Sequence, residues 1–96
     1  MSFAVELKRM REARGLSYGQ VARKAGVTRE YLWMIEHGRR VAPTPEHIVA
    51  ICRALGQRRE VGRLTALALV ERLAGAGLEV SAEAVAVLAA GIREAA

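Results

Sequence analysis

Side chains able to do chemistry are few in this 96-residue chain, and several of them fall in one stretch, VTREYLWMIEHGRR at residues 27–40. Read as a helix that ends at Gly38, the stretch advances 100° per residue. With Val27, Leu32 and Ile35 turned inward, Arg29, Trp33 and His37 form one outer row, and Glu30 and Met34 form the row beside it. Such a face suits recognition better than catalysis. There is no Asp anywhere, and the two histidines, His37 and His47, lie in different elements without a metal-ligand pattern. His47 reads as an ordinary surface or helix-start residue. Glu46 reads as part of a helix start, and no glycine-rich phosphate loop follows a strand. The single cysteine, Cys52, permits neither an internal disulfide nor a multi-cysteine zinc site and sits in an apolar helical row. No enzyme activity, metal or cofactor is expected.

The charge distribution supports recognition of an anion. Residues 1–63 carry 13 Lys/Arg against 6 Glu, a net of +7, whereas residues 64–96 carry 2 Arg against 4 Glu, a net of −2. The first part is built to face something negative and the second is not. An α-helix fits the major groove of DNA, where each base pair shows a distinct donor and acceptor pattern. A guanidinium such as Arg29 can fork onto a guanine edge, and a carboxylate such as Glu30 can accept from a cytosine amino group. Trp33 and Met34 can touch thymine methyls or sugars.

The elements that must position this face are all helical. Half of the chain is hydrophobic but only four residues are aromatic, so Leu, Val, Ile and Ala must fill the interior. Such a composition favours helices, and no run of β-branched alternation is long enough for a strand. Phe3, Leu7 and Met10 at helical spacing predict a first helix from Ala4 to Arg14, stopped by Gly15. Ser17-Tyr18-Gly19-Gln20 has the form of a capping box and opens a second helix at Tyr18, which ends at Gly26. Thr28 caps the third. Thr44 is expected to cap the fourth, with Pro45 at its first position and Glu46 at the positive end of its dipole. Ile48, Ile51, Cys52 and Leu55 make its inner face, and Gly56 ends it. A fifth helix is predicted over Arg58 to Ala74. Gly75 and Gly77 break the chain, and Ser81, between Val80 and Val85, caps a last helix from Ala82 to Ala95.

Three parts of the sequence, LKRMREARGLS, VARKAGVTREYLWMIEHGRR and PTPEHIVAICRALG, together resemble the Cro/XRE phage-repressor type of helix-turn-helix DNA-binding family over about residues 7–56. The resemblance implies a compact, λ-repressor-like all-α bundle with residues 18–26 and 28–37 as the helix-turn-helix. It places Arg29, Glu30, Trp33 and Met34 at base-facing positions. Ser17, Tyr18 and Thr28, at helix starts, and His37, Arg39 and Arg40 are then placed for phosphate contacts. It also implies that Arg11 pairs with Glu36, bracing the first helix against the third. The chain departs from the family at Tyr18, where glutamine is typical, and at His37, where asparagine is common.

Residues 1–56 are therefore expected to form the DNA-binding domain and residues 57–96 a helical hairpin. Both hairpin helices carry apolar residues on more than one face, Leu67, Leu69 and Val70 in one and Val85, Val87, Leu88 and Ile92 in the other. Surplus apolar surface usually means association, so the hairpin is expected to dimerise the chain. A homodimer would present two reading helices to half-sites about 34 Å apart. The partners expected are double-stranded DNA and a second copy. The alternative is a protein-binding adaptor or antitoxin that uses the Trp33/Met34 face or the hairpin. Residues 1–10 lack the apolar core of a signal peptide and no apolar run is long enough to span a membrane, which leaves the cytoplasm as the expected compartment.

Overall fold

Most helix boundaries follow from local capping chemistry. The computed structural model describes residues 2–95 of the chain and the side chains of residues 2–91, so the side chain of Ile92 lies outside the described residues. Its helices are α1 (Phe3–Ala13), α2 (Tyr18–Ala25), α3 (Arg29–Glu36), α4 (Pro45–Ala54), α5 (Val61–Gly75) and α6 (Ala82–Ala95), with no strand among the described residues. The capping box is formed: the Ser17 hydroxyl accepts from the Gln20 amide at 3.2 Å, and the Gln20 side chain accepts from the Ser17 amide at 2.8 Å. Thr28 accepts from the Tyr31 amide and Ser81 from the Ala84 amide, each at 3.1 Å. Gly26 closes α2 in the left-handed conformation, φ +73°, as its turn requires.

Two starts differ from expectation. Thr44 has the extended backbone of a cap, but its side chain makes no capping hydrogen bond. The Glu46 carboxyl lies in the same first turn. It is bonded to its own backbone amide and then to Thr44, and these bonds hold it below the usual carboxylate range. The fifth helix begins as a 3-10 turn at Arg58–Glu60, and the α-helix proper starts only at Val61.

The core gathers one face of each of the first five helices. Phe3, Leu7 and Met10 of α1 meet Val21 and Ala22 of α2, Leu32 and Ile35 of α3, Ile48, Ile51 and Cys52 of α4, and Leu64 and Ala68 of α5. Each fully buried Leu, Ile or Phe contributes about 1.5–3 kcal/mol, so this interior supplies most of the favourable free energy. Val27, expected inside, is only half-buried at the edge of the cluster.

The hairpin accounts for most of its own surplus. α5 packs against α1 and α4 on one side and against α6 on the other. Leu64 and Ala68 join the main core, while Ala66 and Ala89 are buried outside it. A helix covered on two sides must be apolar on two sides. Leu67, Val70, Val85 and Leu88 are accordingly half-buried, and among the described members of the expected set only Leu69 and Val87 are exposed. Among the described residues no helix is long and apolar enough to cross a membrane.

Polar links across the sequence tie the bundle together. Glu6 in α1 is buried, yet it pairs with Arg9 one turn on and with Arg63 of α5. The Phe3 amide donates to the Glu71 carboxylate at 2.8 Å, and Arg72 donates to the Ala42 carbonyl at 2.6 Å. α5 therefore anchors both the start of α1 and the loop that follows α3.

Candidate nucleic-acid interface

α3 is held in place by one buried ion pair. The Arg11 guanidinium donates to Glu36 through Nε at 2.8 Å and Nη2 at 3.1 Å, and through Nη1 to the Leu16 carbonyl at 2.8 Å. The side chains are 11% and 1% exposed. Two parallel N–H···O bonds fix orientation as well as distance. The hydrogen bond to Glu36 raises the Arg11 pKa further above its ordinary value, with burial opposing it. The same guanidinium lies 4.2 Å from the centre of the Tyr18 ring. Burial, reinforced by Glu36, pushes the Tyr18 hydroxyl's pKa upward, so it stays a neutral donor at physiological pH.

With α3 so fixed, Arg29, Glu30 and Trp33 are exposed together and line one shallow hollow of about 210 Å³. A neighbouring hollow of about 360 Å³ is lined by Arg11, Ser17, Tyr18, Gly19 and Arg29. Arg29 thus stands between the start of α2 and the outer row of α3. Met34 is half-buried and offers less surface than its position suggested. Ser17 and Thr28 are exposed, and although each oxygen accepts a capping amide, each hydroxyl hydrogen remains available to a ligand.

Trp33 does not stand alone. Its ring stacks on His37, centroids 4.1 Å apart and planes 18° from parallel, as expected for neighbours four apart on one helix face. The Arg39 guanidinium lies 5.7 Å from the Trp33 ring. His37 Nδ1 is 2.8 Å from the Trp33 carbonyl oxygen. A carbonyl only accepts, so Nδ1 carries the hydrogen and Nε2 is the atom left for a ligand. Trp33 remains 39% exposed, enough to present one edge outward.

Gly38, at φ +66°, turns the chain after α3 so that Arg39 and Arg40 go to different aromatic rings. Arg40 lies 4.9 Å from the centre of the Tyr31 ring, on the flank of α3 away from Trp33. The Tyr31 hydroxyl is 3.0 Å from Nδ1 of His47, and the two rings meet edge to face. His47 stands at a helix start, as expected, but it is half-buried and bonded and not an ordinary surface residue. Sixteen residues separate the two, so no local pattern signals the contact.

The model of the family described as helix-turn-helix domain matches residues 2–66, about two thirds of the chain. No curated protein and no solved structure matches. The match includes all of α1 to α4, hence the capped α2–turn–α3 unit and the buried Arg11–Glu36 pair that orients it. This chain therefore belongs to the helix-turn-helix domain family, which in general comprises DNA-binding regulators.

Proposed function

We propose that the protein is a sequence-specific, double-stranded-DNA-binding transcriptional regulator of the repressor type, working in the cytoplasm as a homodimer. The observation that carries this reading is the exposed set Arg29, Glu30 and Trp33 on a helix clamped by Arg11 and Glu36. In this reading α3 enters the major groove. Arg29 forks onto a guanine edge, Glu30 accepts from a cytosine amino group, and Trp33, with a smaller part from Met34, contacts thymine methyls. Ser17, Tyr18, Thr28, His37, Arg39 and Arg40 engage phosphates. His37 donates to a phosphate only when its ring is protonated, because Nδ1–H is already used by the Trp33 carbonyl.

Support for the dimer comes from apolar surface left open on the hairpin: Leu69 is 37%, Leu78 56% and Val87 72% exposed. Leu69 also lines an apolar groove with Pro43, Pro45, Ile48 and Ala68. A two-fold dimer would select an inverted repeat with half-sites about one helical turn apart.

The test is selection of bound duplexes from a random pool, followed by sizing of the complex. Enrichment of an inverted repeat bound by two chains supports the reading. Enrichment of nothing, with capture of a protein that survives high salt at the Trp33 face, would favour an adaptor or antitoxin instead.

A further inference from the structure

Tyr31, Arg40 and His47 come from three separate places, the first turn of α3, the loop after it and the first turn of α4, yet they converge. Their hydrogen-bonding capacity is only partly used. If the Tyr31 hydroxyl donates to His47 Nδ1, the imidazole keeps Nε2–H free. If Nδ1–H donates to the hydroxyl oxygen, the phenol hydrogen is free. Either way one donor is left over. The exposed Arg40 guanidinium lies over the Tyr31 ring, its carbon 4.9 Å from the ring centre, a contact that uses none of its N–H donors.

The charges that act on the Tyr31 hydroxyl are both cationic. Burial pushes its hydroxyl pKa up, while Arg40 and Arg72, both cations, pull the other way. The adjacent acid, Glu46, is tied back to its own amide and to Thr44. A half-buried phenol and imidazole beside an exposed guanidinium make a site for an acceptor that carries negative charge and needs no donor of its own. A phosphodiester oxygen has that chemistry, and a base edge, which mixes donors and acceptors, fits it less well.

We propose that Tyr31, Arg40 and His47 form a seat for a DNA backbone phosphate, on the flank of α3 away from the Arg29/Trp33 row. The proposal rests on the DNA-binding reading above and extends it to two residues, Tyr31 and His47, that local sequence pattern did not single out. Together the two flanks would grip α3 on both sides. The Trp33 flank carries sequence information, and the Tyr31 flank fixes how deep and at what angle the helix lies.

The test measures duplex affinity by labelled-DNA anisotropy across a salt series, for wild type, Arg40→Ala, Tyr31→Phe and His47→Gln. Arg40→Ala should lower the steepness of log affinity against log salt by about one contact. Tyr31→Phe and His47→Gln should weaken binding about five- to tenfold for every duplex alike, leaving sequence preference unchanged. Tyr31→Phe keeps the ring and Arg40 is exposed, so loss of fold will not imitate the result, and far-UV circular dichroism checks each variant. Wild-type steepness in Arg40→Ala, or wild-type affinity in Tyr31→Phe, would overturn the seat while leaving DNA binding intact. Absence of salt-dependent binding in the wild type would instead overturn the DNA-binding reading and the seat with it.

Discussion

Removing Glu36 should destabilise the protein far more than removing an average surface charge. The Glu36→Ala variant deletes two short charge-assisted bonds at a site where the carboxylate is 1% and the guanidinium 11% exposed. Breaking a buried pair by deleting one partner costs about 3–5 kcal/mol, because the other charge is left without compensation. Arg11 keeps the Leu16 carbonyl and the Tyr18 ring, which places the expected loss at the low end, about 3 kcal/mol. For a domain of this size each kcal/mol lowers Tm by about 4–8 °C, so the melting point should fall by about 12–24 °C. Urea unfolding followed by far-UV circular dichroism measures the free-energy loss directly. The double variant Arg11→Met/Glu36→Leu leaves no orphan charge and should lose less than either single variant. A single-variant loss below about 1 kcal/mol, or a double variant that loses the sum of the two, would refute the assignment of this pair as the brace of α3.

Acid should act through Glu6. The Arg9 hydrogen bond, aided by Arg63 and opposed by burial, holds its carboxyl below the ordinary range in the folded state. The unfolded chain then binds more protons between the two pKa values, so this stabilisation is present above the unfolded value and is lost as pH falls through the folded one. Glu6→Gln should therefore flatten the acid limb of a stability–pH curve below about pH 4.5. Cys52 is fully buried and its thiol is pushed up to about 12 by burial. It should resist a thiol reagent at neutral pH in the native protein and react at once in denaturant. Gly56 sits at φ +68°, where an added Cβ would meet the Arg14 guanidinium at 3.1 Å, so Gly56→Ala should cost about 1–2 kcal/mol. Gly91 lies inside α6 with open space around it, so Gly91→Ala should gain about 0.5–1 kcal/mol in the same urea titration.

What the chain shows of its fold is whatever is encoded locally. Caps, stop glycines and a 3.6-residue period put the helix boundaries within a few residues, because each signal acts within one turn. The exposure of Arg29 and Trp33 follows from the same period once Leu32 and Ile35 are taken as buried. The contacts that escaped are those joining distant positions. Glu6 looks like a solvated charge in a first turn, and nothing near it announces Arg63, 57 residues on. Tyr31, Arg40 and His47 each make sense alone, and only the packing of α4 against the rest of the bundle brings them together. The hairpin reads two ways for a physical reason. Apolar residues on several faces mean either a subunit interface or a helix packed on two sides within one chain, and α5 is largely the second.

The central claim is that the α3 face meets DNA, and Trp33, the only tryptophan, can report on it. The decisive measurement is a titration of the protein with mixed duplex DNA at about 50 and 200 mM salt, reading Trp33 emission beside labelled-DNA anisotropy. The account predicts a shift in emission at low salt, with an affinity that falls by orders of magnitude at the higher salt as phosphate contacts are screened and counterions return. Unchanged Trp33 emission together with no binding by anisotropy would contradict it.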